Sequence, residues 1–153
     1  MIELVRACPE DAEALLAAKI DAFSFDVALY GYGPPAYDSL EDTTAAIARP
    51  ENRYFKILKD GVLAGGLCAC DLGGGHFHLN SVYIFTAEQS KGIGCAAMRL
   101  LFNTFPDAVR WTLETPYRSF RNHHFYEKLG FMKTGETEPE PDGFYLFLYE
   151  KTE

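Results

Sequence analysis

The chain carries Gln89-Ser90-Lys91-Gly92-Ile93-Gly94 between a predicted β-strand that ends near Phe85 and a predicted helix that begins at Gly92. Its two glycines let a ligand approach the backbone closely, and the first N–H groups of a helix have no acceptor within it. The helix dipole adds partial positive charge there, and Lys91 adds a full one. The stretch therefore predicts a site for a phosphate or pyrophosphate group, although a tightly packed helix start explains the same glycines.

Two other phosphate-binding patterns fit this stretch less well. The sequence has no G-x-x-x-x-G-K-[S/T] string, which excludes a P-loop. Residues 92–97 read G-I-G-C-A-A and satisfy the G-x-G-x-x-A pattern of dinucleotide-binding folds. In those folds the glycine turn follows its strand directly and successive βαβ units are present. Here several residues separate Phe85 from Gly92, and the chain offers one parallel crossover, so a dinucleotide fold is disfavoured.

The surrounding periodicities predict the element order β-α-α-β-β-β-α-β-α-β-β. Ser39 and Asp42 form a capping box, Asp60-Gly61 is a two-residue hairpin turn, and Gly130 ends a helix. We expect strands at 2–7, 53–59, 62–70, 77–85, 109–114, 131–134 and 144–150, and helices from Pro9, from Ser39 to Ala48, at 92–105 and at 119–129. This order predicts an α/β (or α+β) fold with a mostly antiparallel mixed sheet, one parallel pair and helices on both faces. With no linker or repeat in the sequence, we expect residues 1–153 to form a single domain.

Residues 89–94 also resemble the Q/R-x-x-G-x-G/A signature of the GCN5-related N-acetyltransferases, the GNAT superfamily. Farther along, residues 124–131 read H-F-Y-E-K-L-G-F and resemble the second signature of that superfamily, F-Y-E-K-L-G-F. The two motifs occur in the superfamily's order, separated by a helix and a strand, and the resemblance covers essentially the whole chain. The sequence is therefore identified as that of a GNAT superfamily member.

The resemblance implies that the strand carrying Val82 to Phe85 splays away from its parallel neighbour at 109–114, and that acetyl-CoA binds as cosubstrate in the gap. Its pantetheine arm is expected at the backbone of Ile84 and Phe85. Its pyrophosphate is expected on the N–H groups of Gln89, Ser90, Lys91, Gly92, Ile93 and Gly94. The sequence departs from the family pattern at Thr86–Glu88, where a proline is usual, and at Ser119, where an asparagine is common. Asn122 lies one turn later and is the candidate coenzyme-binding residue in its place.

The resemblance also implies the chemistry, which is direct transfer of the acetyl group to a primary amine of a small molecule, peptide or protein. Tyr126 matches the tyrosine that protonates the sulfur of the coenzyme in many members. Two residues are candidates for the base that takes the proton of the amine: His78, whose place holds a glutamate in some relatives, and Glu114. His123 and His124 are expected on a solvated helix face. The alternative is a noncatalytic acyl-CoA-binding or sensory module on the same fold.

Aromatic residues indicate where the amine acceptor binds. The first two helices and the loop between them carry such residues, and the C-terminal hairpin carries more; they are Phe23, Phe25, Tyr30, Tyr32 and Tyr37 in the former, and Tyr145 and Phe147 in the latter. A wall of aromatic rings suits an amine through cation–π contact, whereas the same residues also suit a core. The sequence does not choose among acceptors.

Composition limits the partners and the compartment. The chain has 153 residues, a net charge of −8 and a pI near 5.0, and an acidic surface repels nucleic acid. No apolar run approaches the length of a membrane span and no signal peptide is visible, so we expect a cytoplasmic protein without membrane association. The four cysteines form no C-x-x-C pair, which predicts reduced, mostly buried thiols and no metal site. We also expect that the protein can form a homodimer.

Overall fold

The order of helices and strands follows the sequence-based expectation. The computed structural model of the protein describes residues 1–30 and 39–152, and the side chains of residues 1–24 and 39–152. The helices of this part are α1 (Ala12–Tyr30), α2 (Leu40–Ala48), α3 (Ile93–Thr104) and α4 (Phe120–Lys128). The strands are β1 (Ile2–Arg6), β2 (Asn52–Lys59), β3 (Val62–Asp71), β4 (His76–Ile84), β5 (Arg110–Pro116), β6 (Met132–Glu136) and β7 (Leu146–Thr152). Short 3-10 turns at Pro9–Asp11 and Thr86–Glu88 lie ahead of α1 and α3.

These strands form one sheet with the order β1-β2-β3-β4-β5-β7-β6. Neighbouring strands are antiparallel, with the exception of β4 and β5, which run parallel because α3 carries the chain from one end of the sheet to the other. The predicted mixed, mostly antiparallel sheet with one parallel pair is confirmed.

Helices cover both faces of the sheet, as predicted. The side chains of successive strand residues point to opposite faces, so Tyr54 enters one apolar cluster and Phe55 the other. The cluster under α1 and α2 contains Leu15, Phe23, Ile47, Tyr54 and Tyr83. The cluster under α3 and α4 contains Met98, Leu101, Trp111, Tyr126 and Phe131. Each fully buried large side chain contributes about 1.5–3 kcal/mol to folding, so these two clusters hold the helices against the sheet.

Short-range turn chemistry sets several boundaries. Asp60 and Gly61 both have positive φ (51° and 82°), which is the conformation of a two-residue hairpin turn between β2 and β3. The Ser39 hydroxyl accepts the Asp42 N–H at 3.0 Å, so the predicted capping box is present at α2. Gly130 ends α4 with a φ of 99°. The predicted loop at residues 31–35 lies outside the described residues.

The prediction of mostly buried thiols is wrong for most of the cysteines. All four are free, but Cys68 alone is buried, Cys70 and Cys95 are partly buried, and Cys8 is exposed. Cys8 lies between β1 and the first 3-10 turn, where its Sγ contacts the Asp11 carboxylate at 3.3 Å. Its place in an exposed connection, rather than in a strand, accounts for the difference.

Candidate active site

Strands β4 and β5 pair over part of their length and then separate. Their parallel register runs from His76 opposite Arg110 to Leu79 opposite Leu113, whereas β4 continues to Ile84 and β5 to Pro116. Beyond Leu79, β4 stays paired with β3 alone, and the register of that pair shifts by one residue at this point. The expected splay is therefore present, and it opens a gap between the two strands.

Part of the β4 backbone faces this gap. The Phe85 N–H donates to the Ala64 carbonyl at 2.9 Å, on the β3 side. Backbone groups alternate in direction along a strand, so the N–H groups of Val82 and Ile84 point the other way, into the gap. Ile84 thus lies as expected for a pantetheine contact. The Phe85 N–H does not face the gap, because it donates to the Ala64 carbonyl of β3. Val82 was not predicted as a contact, although the alternation of backbone groups along the strand indicates it.

A cavity of about 520 Å³ adjoins the gap, and residues of α3 and α4 line it together with Ala22 and Phe23 of α1. This volume falls within the usual range for small-molecule sites. Many of the residues expected to bind the coenzyme line it, namely Ile84, Gln89, Ser90, Gly92, Ile93, Gly94 and Asn122, together with Tyr126. The cavity lining, as far as the structure describes it, does not include Phe85, Lys91, His78 or Glu114.

The loop before α3 is shaped to expose backbone N–H groups. Ser90 and Gly92 have positive φ (64° and 79°), and Gly92 caps a helix whose first turn points its N–H groups outward. A Cβ on Gly92 would meet nothing within 4 Å, whereas a Cβ on Gly94 would lie 3.0 Å from a ring carbon of Phe125. Gly92 is thus required by the backbone conformation and Gly94 by the close approach of α4.

The side chain of Gln89 ties this loop to both flanking elements. Its Nε2 donates to the Ile84 carbonyl at 2.9 Å, and its Oε1 accepts a hydrogen bond from Arg121 at 2.8 Å. Arg121 lines the cavity with His124 and Lys128, at spacings that place them on one face of α4. These three residues were not predicted from the sequence; their helical spacing after the glycine loop was the available signal.

Lys91 does not face the cavity, contrary to its expected role as a cation for phosphate. Its Nζ lies 3.4 Å from the Glu88 carboxylate, which Lys59 also contacts at 3.3 Å. The hydrogen bond from Lys59, with the charges of both lysines, lowers the pKa of Glu88. Arg121 and Lys128, rather than Lys91, are the cationic side chains that line the cavity among the described residues.

Ser119 shows that the cavity wall suits a polar ligand. Its side chain is 3 % exposed and lines the cavity, and its hydroxyl has no hydrogen-bond partner among the described residues. The Thr115 hydroxyl of β5 is also buried without a partner among the described residues. A buried polar group without a partner costs about 1–3 kcal/mol, so a bound molecule with amide or carbonyl groups would recover that energy. The residues present therefore fit the pantetheine arm of acetyl-CoA.

Tyr126 lies at the inner wall of the cavity. Its ring packs edge-on against Phe125 and Phe131, with centroids 5.2 and 5.9 Å away. Burial raises the pKa of its phenol above the usual value, so the hydroxyl keeps its proton at neutral pH. The phenol thus carries the proton that a general acid must donate.

His78 and Glu114 lie together on the other face of the sheet. Their neighbours Phe77, Leu79 and Leu113 belong to the cluster under α3 and α4, so strand alternation places both candidate bases on the opposite side. His78 Nε2 lies 3.9 Å from Glu114 Oε1. Burial lowers the pKa of His78, which therefore is neutral at neutral pH. The two candidate bases are neighbours, and neither lines the cavity that Tyr126 faces.

The expectation that His123 lies on a solvated face is wrong. His123 is buried, its ring stacks on Phe147 at 4.6 Å, and its Nε2 lies 3.0 Å from the Pro116 carbonyl. Burial lowers its pKa. His124, by contrast, is exposed at the cavity rim.

The predicted aromatic wall is described in part. Phe23 lines the cavity beside Tyr83, whereas Tyr145 stacks on Tyr117 at 4.4 Å and Phe147 stacks on His123. The structure thus divides these rings between two places instead of bringing them face to face. Tyr32 and Tyr37, with the side chains of Phe25 and Tyr30, lie outside the described residues.

The described residues were compared with the requirements of a metal site and of a membrane-spanning helix. Among the described side chains, those of residues 1–24 and 39–152, no group of three or more histidine, cysteine or acidic residues is arranged to hold a metal ion. No helix in the same residues combines the length and apolar character needed to span a bilayer.

Comparison with known proteins identifies the family. Residues 14–131 match the model of the Acetyltransferase (GNAT) family, and the chain belongs to that family. The uncharacterised protein YrkN of Bacillus subtilis (strain 168) is 33 % identical over 101 residues, which are 65 % of this chain and 54 % of YrkN. The chain thus spans about half the length of this curated relative.

Solved acetyltransferases share the fold over the full chain. PaiA N-acetyltransferase of Thermoplasma acidophilum, in complex with coenzyme A, superposes with a TM-score of 0.82 at 18 % identity, over 100 % of this chain and 99 % of that one. The ribosomal-protein-S18-alanine N-acetyltransferase of Escherichia coli gives a TM-score of 0.80 at 15 % identity, over 99 % of this chain and 94 % of that one.

Proposed function

We propose that the protein is an acetyl-CoA-dependent N-acetyltransferase that moves an acetyl group directly to a primary amine of a small molecule, peptide or protein. The observation that carries this proposal is the cavity beside the splayed β4 and β5, with the glycine loop at one end and Tyr126 on its wall. Each part has a use in binding or reacting a thioester of coenzyme A.

The loop and α4 supply the anion-binding part of the proposed site. Backbone N–H groups of residues 90–94 bind the pyrophosphate, and the α3 dipole adds to their attraction. The Gln89 N–H donates instead to the Thr86 carbonyl at 3.3 Å. Arg121, held by Gln89, adds a charged hydrogen-bond donor at the same end. The N–H groups of Val82 and Ile84 and the hydroxyl of Ser119 are available to the pantetheine amides, with Asn122 close by in the wall.

Tyr126 supplies the proton in the proposed reaction. The amine nitrogen attacks the thioester carbon, the C–S bond breaks, and the Tyr126 hydroxyl donates its proton to the departing sulfur. A primary amine of pKa ~10 must first lose its ammonium proton, which costs about 4 kcal/mol at pH 7. The side that receives the amine therefore needs a proton acceptor, and His78 and Glu114 are the candidates there.

Thiol release tests the proposal against its alternative, a noncatalytic acyl-CoA-binding or sensory module. Acetyl-CoA is first titrated into the protein by calorimetry, and free thiol is then measured with acetyl-CoA and pooled amines, aminoglycosides, peptides and lysine-containing proteins. The proposal expects saturable, amine-dependent thiol release. Tight binding of acetyl-CoA without turnover on the whole panel contradicts it and favours the sensory module.

Four expectations from the sequence stay predictions: one domain over residues 1–153, a cytoplasmic location, a homodimer, and no binding to nucleic acid. The single sheet of the described residues supports the first of them.

A further inference from the structure

A second, polar cavity lies on the face of the sheet covered by α1 and α2. Its volume is about 180 Å³, and its polar lining consists of Lys19, Thr43, Arg49, Asn52, Asn80 and Ser81. Tyr54 and Cys68, which also line it, belong to the apolar cluster under α1 and α2. One water molecule requires about 10–15 Å³ of such space, so the polar cavity has room for a polyatomic group.

Two cationic side chains line the polar cavity. Lys19 of α1 is buried, with 6 % of its surface exposed. Arg49 follows the last residue of α2, and its Nε lies 3.4 Å from the exposed carboxylate of Glu51. The described residues of the lining include no carboxylate. Two positive charges beside one small cavity attract an anion into it.

Both charges act on the Cys68 thiol in the cavity wall. Burial raises the pKa of this thiol to about 11, while a hydrogen bond from Asn80 and the charges of Lys19 and Arg49 act in the opposite direction. Cys68 is therefore uncharged at neutral pH, and no thiolate at this position neutralises the two cations. Their common effect on one sulfur atom also places the cations around the same space.

Strand β4 adds hydrogen-bond donors to the lining. The Asn80 Nδ2 lies 3.7 Å from Cys68 Sγ, and because sulfur is a weak acceptor the amide can donate to a ligand instead. Ser81 contributes a hydroxyl beside it. The side chains of Asn52 and Thr43, by contrast, donate to backbone carbonyls at 2.9 and 3.0 Å. Donors for an anion thus come from the two cations and from β4.

The polar cavity adjoins the larger cavity of the proposed coenzyme site. On α1, Lys19 lines the polar cavity, whereas Ala22 and Phe23, three and four residues later, line the larger one. Side chains at this spacing are neighbours on one helix face, with Cβ atoms about 5–6 Å apart. On β4, Ser81 lines the polar cavity and Val82 the larger one. The two cavities therefore lie within about one helical turn of each other.

The β4 residues of the polar cavity also lie where the gap between β4 and β5 opens. Leu79 is the last β4 residue paired with β5, and Asn80 and Ser81 follow it directly. The register with β3 shifts at this point, because Ser81 pairs with Cys68 and Leu79 with Ala69, so that Asn80 has no partner residue on β3. An amine that attacks a thioester in the gap thus lies close to the polar cavity.

We propose that the polar cavity binds an anionic group of the acceptor, so that the substrate is a small primary amine with a carboxylate or phosphate group a few bonds from its nitrogen. This inference rests on the proposed acetyl transfer and names its substrate class. Lys19 and Arg49 bind the anion, and Asn80 and Ser81 add hydrogen bonds. Because the anion is held one helical turn from the coenzyme site, the nitrogen of the same molecule is oriented toward the gap.

Matched amines test the preference for an anion. Thiol release is measured, at equal concentrations of neutral amine, for amino acids against their amides and for O-phosphoethanolamine against ethanolamine. We expect kcat/KM to be ~10–100-fold higher for the anionic member, as charge-assisted hydrogen bonds supply. A preference in the first set identifies a carboxylate, and a preference in the second a phosphate. Turnover that favours amines without an anionic group overturns the proposal.

Substitutions at the two cations test the site itself. Lys19→Met keeps an unbranched buried stem, and Arg49→Gln changes a side chain that is 61 % exposed and so leaves the fold intact. We expect each to reduce the ratio of kcat/KM between anionic and neutral amine by ~10-fold or more. Arg53→Gln is the matched control, because Arg53 pairs with Asp71 and does not line the polar cavity among the described residues. An unchanged ratio in Arg49→Gln, or an equal fall in all three variants, overturns the proposal.

Anion binding without turnover separates this inference from the proposed function. Sodium acetate and sodium phosphate are titrated into ¹⁵N-labelled protein, with methylammonium chloride as the cationic control, and the amide resonances of Asn80 and Ser81 are followed by NMR. One of the anions should shift these resonances saturably, with at least ~10-fold weaker affinity in Arg49→Gln, and methylammonium should not. Shifts that do not saturate, or equal affinity in Arg49→Gln, overturn the inference. Absence of any wild-type turnover overturns the proposed function, while the titration still decides whether the polar cavity binds an anion.

Discussion

Removing one oxygen atom at Tyr126 separates catalysis from packing. Tyr126→Phe keeps the ring between Phe125 and Phe131, and the deleted hydroxyl makes no hydrogen bond within the described residues. The free energy of unfolding should therefore change by no more than about 1 kcal/mol. If the hydroxyl protonates the departing sulfur, kcat should fall by ~10²–10⁴-fold, which corresponds to about 3–5 kcal/mol of activation free energy.

The assay is single-turnover thiol release with saturating acetyl-CoA, so that product release does not hide the chemical step. KM for acetyl-CoA should stay near the wild-type value, because the ground-state contacts of the ring are retained. Tyr149→Phe is the matched control. The Tyr149 hydroxyl is also buried, but it donates to Glu127 at 2.9 Å and Tyr149 does not line the cavity among the described residues. The control should lose stability and keep kcat.

A wild-type kcat for Tyr126→Phe, in an assay limited by chemistry, would refute the assignment of Tyr126 as the acid. The pH profile gives an independent check. Because burial raises the pKa of Tyr126, ionisation of this phenol should not limit kcat below pH ~10. An alkaline limb below that pH which disappears in Tyr126→Phe would show that the hydroxyl is not buried as the structure has it.

Three further predictions concern the loop, the cavity and stability. Gly92→Asp and Gly92→Asn both place a side chain in open space at a positive φ, a conformation that Asn tolerates best. A much weaker acetyl-CoA affinity in the Asp variant alone would therefore show repulsion between its carboxylate and the phosphates. Equal affinities of the two variants in calorimetry would mean that the phosphate site lies elsewhere. Acetyl-CoA should protect Cys95, which lines the cavity, from alkylation while leaving the exposed Cys8 reactive, as mass spectrometry can measure; equal protection would contradict the cavity assignment. Burial and the Glu127 hydrogen bond raise the pKa of Tyr149 to about 12, so the folded state holds a proton that the unfolded chain loses, and stability should fall between pH ~10 and ~12. Tyr149→Phe should flatten that fall in urea unfolding, and an unchanged slope would contradict the shift.

Features that depend on neighbouring residues were predictable from the sequence. The Asp60-Gly61 turn, the Ser39 capping box and the Gly130 stop each follow from the conformation that a few adjacent residues prefer. The parallel β4–β5 pair followed as well, because a helix between two strands needs a crossover. The resemblance to the GNAT superfamily predicted that β4 splays away from β5, which hydrophobic periodicity alone does not predict.

Features that depend on distant partners were not predictable. Lys91 was assigned to phosphate, but Glu88 holds it together with Lys59, which lies on β2. His123 was assigned to solvent, but Phe147 on β7 covers its ring. For His123 a contact set by the tertiary fold decided where the side chain points. The partner of Lys91 lies only three residues away, and Lys59 is the distant member of that group of charges.

Tyr126 and Glu114 lie on opposite faces of the sheet, an arrangement that suits direct transfer of the acetyl group to the amine. Tyr126 belongs to the cluster under α3 and α4, and Glu114 lies on the opposite face at the mouth of the gap. In the proposed mechanism the proton donor serves the departing sulfur on one side and the proton acceptor serves the amine nitrogen on the other, and no proton needs to pass between them. Glu114 is open to water and can release its proton at once. Tyr126 is 8 % exposed, so it regains its proton through the cavity after the thiol has left.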